Sequence, residues 1–148
     1  MMTSVTIYTD GGCDPNPGPG GWAAVLLSGS HRKELSGAEP ESTNNRMELT
    51  AALRALQALK HPCIVTVITD SEYLKNGITT WLKGWRARGW KTADRRPVAN
   101  QDLWIALDAA AAAHTMTWQW TRGHAGSREN ERCHRLVVEA RRSQAAAR

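Results

Sequence analysis

The sequence predicts an α/β fold in which a mixed β-sheet carries helices on both of its faces. Short β-branched runs alternate with Ala- and Leu-rich segments of helical period, in the order three strands, helix, strand, helices, strand, helix. A length of 148 residues with 41% hydrophobic content suits one compact domain. Because the chain shows no internal repeat and no linker, we expect a single domain over residues 1–148.

The first three strands are predicted from β-branched and aromatic residues flanked by turn residues. Val5–Tyr8 predicts a strand that ends in a turn beginning at Asp10. The Pro- and Gly-rich stretch Pro15–Gly21 predicts irregular structure, and Trp22–Leu27 predicts a second strand that pairs back as a hairpin. A third short strand is predicted at His31–Ser36.

The remaining elements are predicted from the spacing of apolar residues. A helix begins at Asn45, since leucines recur at three- and four-residue intervals, and His61 and Pro62 end it. Ile64–Thr69 is a nearly continuous β-branched run, which predicts a central strand buried on both faces. Next, the pattern predicts a helix that Ser71 caps and that Asn76 and Gly77 end. A further helix is capped by Asn100 and carries Leu103 and Leu107. The last two elements are a strand with Met116, Trp118 and Trp120, and a helix with Cys133, Leu136, Val137 and Ala140.

Three acids lie at the ends of these predicted elements. Asp10 follows the first strand, Asp70 follows the fourth, and Glu48 lies in the first turn of the first helix. Each acid alone is explained by turn formation or by the helix dipole. Sites in such sheets form beyond the carboxyl ends of the strands, however, and three converging carboxylates would repel one another without cations. The pattern therefore favours a divalent-metal site suited to phosphodiester hydrolysis.

Basic charge is concentrated in one segment. Nineteen Lys and Arg against fourteen Asp and Glu give a formal charge of +5, which favours polyanionic partners. Trp81–Pro97 holds six of these basic residues and one acid, so its local charge equals that of the whole chain. Tryptophans alternate there with cations, as in nucleic-acid binding segments: Trp81, Lys83, Trp85, Arg86, Arg88, Trp90 and Lys91. The alternative is a solvated helix anchored by its tryptophans, and for the tryptophans the two interpretations weigh equally.

The cysteines and the N-terminus bear on the compartment. Three cysteines are an odd number, and the first residues show no basic segment followed by an apolar one. We therefore expect a reduced, cytoplasmic protein. No apolar run approaches the roughly 20 residues needed to span a bilayer, so no membrane role is expected.

Four segments carry a resemblance to a known family: TDGGCDPNPGPGGW, TNNRMEL, the TDS at Thr69–Ser71, and GHAGSRENERC. In this order they resemble the signature segments of the type 1 bacterial ribonuclease H family, and the similarity runs from about Val5 to Ala140. The resemblance implies a five-stranded mixed sheet and hydrolysis of the RNA strand of RNA/DNA hybrids to 5′-phosphate and 3′-hydroxyl ends. It also implies a two-metal-ion mechanism with Mg²⁺ or Mn²⁺, and a monomer without an obligate protein partner.

The resemblance implies roles for individual site residues. Asp10, Glu48 and Asp70 match three of the family's four metal-binding carboxylates, and His124 matches a flexible-loop histidine that carries protons or helps to release product. His134 occupies the position of the fourth carboxylate. Two interpretations of this departure stay open: the imidazole binds metal, directly or through water, or it only relieves repulsion among the carboxylates.

Substrate contacts are also implied by the resemblance. Cys13, Asn16, Asn44 and Asn45 match groove-contacting positions that sense the RNA 2′-hydroxyl, although the asparagines also suit turn and N-cap roles. Thr43 and Asn100 match a pocket for a DNA-strand phosphate, and Trp81–Pro97 resembles a substrate-binding handle. The sequence departs from the family at Glu41, where relatives often have a basic residue, and at Glu72, where glutamine is common. Weaker phosphate and groove contacts are expected from these departures.

Two other functions remain as alternatives. An integrase or junction resolvase would use a similar acid cluster, but the TNNRMEL and GHAG segments argue against it. A hybrid-binding module without catalysis is the second alternative, and it is motivated by His134.

Overall fold

The computed structural model describes residues 2–122 and 127–146, and it contains a five-stranded mixed sheet as predicted. The strands are β1 (Thr3–Cys13), β2 (Gly18–Ser28), β3 (His31–Ser42), β4 (Cys63–Thr69) and β5 (Thr115–Trp120). Their order across the sheet is β3-β2-β1-β4-β5. β1, β2 and β3 pair in antiparallel fashion, whereas β4 pairs in parallel with both β1 and β5.

The helices cover both faces of this sheet, which confirms the predicted layers. They are α1 (Asn44–Gln57), α2 (Glu72–Asn76), α3 (Leu82–Ala87), α4 (Gln101–Ala112) and α5 (Arg128–Ala146). The larger core joins α1 and α4 to one face, where Ile7 and Val65 are fully buried. On the other face, Cys133 and Val137 of α5 pack against Val25. No helix in the described ranges has the length and apolar character of a membrane span.

The prediction that the fourth strand is buried on both faces is wrong. Among the described residues, α5 packs mainly over β1, β2 and β3 rather than over β4. Residues of β4 that face α1, such as Val65 and Val67, are buried. Ile64, on the opposite face of the strand, is 44% exposed. Because both faces of the strand carry β-branched residues, the sequence gives no sign of this difference.

The turn predicted to begin at Asp10 is also wrong, because β1 continues to Cys13. Asp10 pairs with Ala23 of β2, so it lies inside a strand. The parallel pairing of β1 with β4 ends at Tyr8, and Asp10 therefore lies where these two strands separate. β2 begins at Gly18, inside the stretch expected to be irregular, and β3 runs beyond its predicted end to Ser42.

The α2 helix ends at Asn76 as predicted, but Gly77 does not stop the helical path. Ser71 is the predicted N-cap of α2, and its Oγ accepts a hydrogen bond from the Leu74 N–H at 3.0 Å. Gly77, however, has helical dihedral angles (φ −59°, ψ −51°), and the chain continues through a π-helical turn into α3. A Cβ at position 77 would lie 1.9 Å from Cη2 of Trp104. Gly77 is therefore required for packing against Trp104.

We predict that Gly77→Ala destabilises the protein by about 1–3 kcal/mol, the usual cost of overpacking, because the fully buried Trp104 ring must move. Urea unfolding of the two proteins at neutral pH measures this difference. Gly84→Ala is the matched control, since its new Cβ would meet only the flexible end of the Arg88 side chain. Alanine within a helix should leave stability unchanged or raise it by up to about 1 kcal/mol. Equal effects of the two substitutions would contradict the packing role of Gly77.

Candidate active site

Three carboxylates from distant parts of the sequence meet at one edge of the sheet. Asp10 comes from β1, Glu48 from α1, and Asp70 directly follows β4. One oxygen of each lies within 4.8 Å of the others. Asp10 and Glu48 are buried and Asp70 is half-buried. The predicted convergence of these acids is thus present in the fold.

Gly11 sets the separation of Asp10 and Glu48. Its backbone N–H donates to Oε1 of Glu48 at 2.8 Å and to Oδ1 of Asp10 at 2.9 Å. A Cβ on Gly11 would lie only 2.4 Å from the carbonyl carbon of Met47. The first turns of α1 therefore pack directly against the backbone of β1, and this contact requires glycine.

The end of β4 is fixed by its own hydrogen bonds. The indole N–H of Trp120, on β5, donates to the backbone carbonyl of Asp70 at 3.1 Å. The backbone N–H of Ser71 donates to Oγ1 of Thr69 at 3.0 Å. These contacts fix the backbone that carries Asp70, and the pairing of β4 with β1 brings its carboxylate near those of Asp10 and Glu48.

The environment of Glu48 opposes its ionisation. Burial, followed by the charges of Asp10 and Asp70, raises the pKa of Glu48 well above its usual range. Its Oε2 atom is buried and has no hydrogen-bond partner among the described residues. A buried polar atom without a partner destabilises the fold. A divalent cation between the carboxylates would supply both the missing partner and the compensating charge, and three oxygen donors suit a hard cation.

The carboxylates open into a cavity of about 400 Å³. The walls of this cavity are formed by β1, the start of α1, the start of α2 and one side of α5. His134 of α5 lines this cavity, with its Nδ1 atom 3.4 Å from Oδ2 of Asp10 and its side chain 53% exposed. His134, which the resemblance aligns with a fourth carboxylate, thus lies beside the acids. His124 lies outside the described residues.

Three of the four positions predicted to contact the groove are joined by hydrogen bonds, and the fourth, Asn45, lines the cavity beside Asn44. The Asn44 side chain accepts from the Cys13 N–H at 2.7 Å, and the Asn16 side chain accepts from the Asn44 N–H at 3.1 Å. The N-cap of α1 is Thr43, whose Oγ1 accepts from the Arg46 N–H at 3.2 Å. The capping role considered for Asn44 and Asn45 is therefore wrong, and these side chains lie on the first turn at the cavity wall.

Asn100 precedes α4, but it does not cap this helix with its side chain. It has a positive φ of 59°, and its amide instead accepts from Arg46 at 3.2 Å and donates to the Tyr73 hydroxyl at 3.1 Å. Arg46 also makes a two-bond ion pair with Asp102 of α4. The sequence interpretation missed Arg46, although it lies inside the TNNRMEL segment. Arg46 is hydrogen-bonded to both Thr43 and Asn100, and it thereby connects the start of α1 to the start of α4.

The basic segment Trp81–Pro97 is anchored by aromatic packing. Trp85 packs against Trp81 and Trp104, with ring centroids 5.7 and 5.3 Å apart, and Trp81 is 37% exposed. This agrees with the anchoring interpretation of the tryptophans. Arg86 is held by Asp108 of α4 through two hydrogen bonds.

Comparison with known proteins identifies the family. The family model described as RNase H matches residues 2–142. The protein named Ribonuclease H from Cupriavidus metallidurans is 60% identical over 92% of this chain and 94% of its own length. The one from Halorhodospira halophila is 61% identical over 90% of this chain and 89% of its own. Ribonuclease HI from Caulobacter vibrioides is 56% identical over 96% of this chain and 95% of its own length.

Solved structures agree in fold. LC9-RNase H1, described as a type 1 RNase H with the type 2 active-site motif, is 30% identical with a TM-score of 0.87, covering 97% of this chain and 74% of that one. LC11-RNase H1 in complex with RNA/DNA hybrid has the same fold, with a TM-score of 0.75 at 23% identity over 95% and 99% of the two chains. With a family model that matches nearly its whole length and relatives of this similarity, the chain belongs to the ribonuclease H family.

Proposed function

We propose that this protein hydrolyses the RNA strand of RNA/DNA hybrids, using two divalent cations, Mg²⁺ or Mn²⁺, and leaving 5′-phosphate and 3′-hydroxyl ends. The observation that carries the proposal is the convergence of Asp10, Glu48 and Asp70 around a buried oxygen without a partner. Relatives that share 56–61% of their residues with this chain are named for the same activity.

The residues of the site divide the work of this reaction. Divalent cations activate water and neutralise the charge that develops on the phosphate. Asp10, Glu48 and Asp70 hold the cations, and the N–H of Gly11 fixes the orientation of two of these acids before substrate arrives. His124 transfers protons or assists product release, and His134 offers a nitrogen ligand beside Asp10.

Recognition of the hybrid is assigned to three neighbouring surfaces. Cys13, Asn16, Asn44 and Asn45 form the surface that senses RNA 2′-hydroxyls. The asparagine amides make these contacts, because the Cys13 N–H already donates to Asn44. Thr43 and Asn100 bind a DNA-strand phosphate. The cations and tryptophans of the handle bind the duplex further away: Trp81, Lys83, Trp85, Arg86, Arg88 and Lys91.

We further propose a single domain with its handle at about 81–97 that acts as a cytoplasmic monomer. The single larger core shared by α1, α2, α4 and the sheet supports one domain. The free state of Cys13, Cys63 and Cys133 is compatible with a reducing compartment.

Cleavage of labelled RNA/DNA hybrid, RNA duplex and DNA duplex with Mg²⁺ and then Mn²⁺ tests the function. We expect cleavage of the RNA strand in the hybrid alone. Binding of the hybrid without cleavage under either cation would favour a binding module, and cleavage of DNA duplex would favour an integrase or resolvase.

We predict that Asp10→Asn or Asp70→Asn abolishes hybrid cleavage while the protein stays folded, because each removes a charge that holds cations and leaves the core intact. Turnover at saturating Mg²⁺ and circular dichroism measure the two effects. Asp14→Asn makes the same change on an exposed turn and should leave turnover unchanged. Near-parental turnover in a folded Asp10 or Asp70 variant would show that the site is misassigned.

We predict that Glu48→Gln raises the unfolding free energy in metal-free buffer at pH 7. The folded-state pKa of Glu48 lies above its unfolded value of about 4.3, so this group favours folding least when it is ionised. Its contribution is most favourable below the unfolded pKa and is lost as pH rises through the folded pKa. Chemical unfolding in EDTA between pH 4 and 9 should therefore show a flatter profile for the variant.

The control for this prediction is Glu139→Gln, which changes an exposed glutamate on α5. It should leave the pH profile of stability unaltered. Added Mg²⁺ should stabilise the parent more than the Glu48 variant. Identical profiles for the parent and the Glu48 variant would contradict the raised pKa.

We predict that His134→Asp lowers the ratio of Mn²⁺ to Mg²⁺ activity, because a carboxylate replaces a nitrogen ligand that hard Mg²⁺ accepts poorly. The unfolding free energy in metal-free buffer should fall as well, since a fourth negative charge joins the cluster. Arg135→Asp, an exposed neighbour on the same helix, is the control for added charge. If the metal preference does not change relative to this control, His134 is a structural residue.

A further inference from the structure

Arg141 lines the same cavity as the three carboxylates, and neither turn chemistry nor motif spacing singled it out. It lies seven residues after His134 on α5, which places both residues on one side of the helix and about 10.5 Å apart along its axis. Its side chain is partly buried. The α5 wall of the cavity therefore presents an imidazole and a guanidinium opposite the acids.

The position of this part of α5 is tightly defined. A Cβ on Gly21 of β2 would lie 2.5 Å from the carbonyl oxygen of Val137 and 3.3 Å from the backbone nitrogen of Arg141. Val137 itself is buried against the sheet. The helix backbone at Arg141 thus rests directly on β2, so the guanidinium extends from a fixed base.

The charge of Arg141 reaches the end of β1. Burial raises the pKa of the Cys13 thiol, and the positive charge of Arg141 opposes this rise, whereas Glu41 adds to it. The geometry agrees, since Cys13 pairs with Gly20 of β2, and the next residue, Gly21, lies against the backbone of Arg141. Position 41 is where the family resemblance implies a basic residue, and in this chain the cation near Cys13 comes from α5.

The guanidinium of Arg141 has no hydrogen bond or ion pair with any residue in the described part of the chain. Four other arginines of the described chain are held by acids, which leaves their guanidinium groups less available: Arg32, Arg46, Arg86 and Arg132. A guanidinium presents five N–H donors in a planar fork that matches a phosphate group. Arg141 is thus a cation with available donors, and it lines the cavity that holds the three carboxylates.

We propose that Arg141 binds a phosphate of the RNA strand next to the scissile phosphate, and this inference rests on the proposed function. The carboxylates define where the scissile phosphate lies, and Arg141 stands two helical turns beyond His134. Its charge acts near Cys13, which belongs to the surface assigned to the RNA 2′-hydroxyls. The contact positions the RNA strand and takes no part in bond breaking.

The test measures binding of the full chain carrying Asp70→Asn, so that no cleavage occurs. The probes are one unmodified hybrid and a series in which a single methylphosphonate removes the charge of one RNA-strand linkage near the cleavage site. We expect one linkage at which this modification weakens binding to the Asp70→Asn protein. Adding Arg141→Ala should weaken binding of the unmodified hybrid about tenfold and should abolish the sensitivity at that linkage only.

Salt dependence gives a second readout. Arg141→Ala should lower the slope of log affinity against log salt by about 0.9 or somewhat less, the value for one phosphate contact. Arg142→Ala is the matched control, since Arg142 is the next residue, exposed, and rotated about 100° around the helix. It should not remove the sensitivity at the identified linkage. Arg141→Gln, which keeps most of the side chain, replaces the alanine variant if the latter unfolds.

Two results would overturn this proposal. Retained sensitivity at every RNA linkage, with an unchanged salt slope, would mean that Arg141 only neutralises the carboxylates. A matching series with one methylphosphonate at each DNA-strand linkage gives the second: if Arg141→Ala abolishes sensitivity only in that series, Arg141 contacts the DNA strand instead. Failure of the proposed function is distinguishable, because the protein without substitutions would then not cleave the unmodified hybrid whatever the binding series gives.

Discussion

The close contact between Gly11 and the first turns of α1 is the constraint on which the site depends. A single N–H group donates to the carboxylates of Asp10 and Glu48, and the space of one missing Cβ brings the backbone of α1 against β1. These acids are 38 residues apart in the sequence, and any side chain at position 11 would push them apart. The geometry of the acid cluster is thus built into the packing of the backbone, before any cation or substrate binds.

This packing has an electrostatic cost that the rest of the site offsets. Burial and two neighbouring acids raise the pKa of Glu48, and one of its oxygens lacks a partner within the described chain. The α5 wall, which in the family resemblance would add a fourth carboxylate, here carries His134 and Arg141. The cavity therefore has an acidic wall and a basic one, which suits a ligand that combines cations with phosphates.

Local sequence signals are incomplete where a residue also has a tertiary role. The predicted positions of Gly77 and Asn100 are correct, since α2 ends at Asn76 and α4 begins directly after Asn100. In the fold, Gly77 makes room for the Trp104 ring, and the Asn100 amide joins Arg46 to Tyr73. These contacts join α4 to α1 and to the helical segment that begins with α2. Capping rules describe only a residue's own backbone neighbourhood, so they could not distinguish these uses.

The sequence by itself determined the order of strands and helices, their apolar faces, the Ser71 cap and the meeting of Asp10, Glu48 and Asp70. These features follow from local spacing and from the rule that sites form at the carboxyl ends of strands. Only the tertiary structure decided how far β1 extends, that one face of β4 stays open, and that Arg141 lies at the cavity. Each of these depends on contacts between residues far apart in the chain, which spacing along the sequence does not encode.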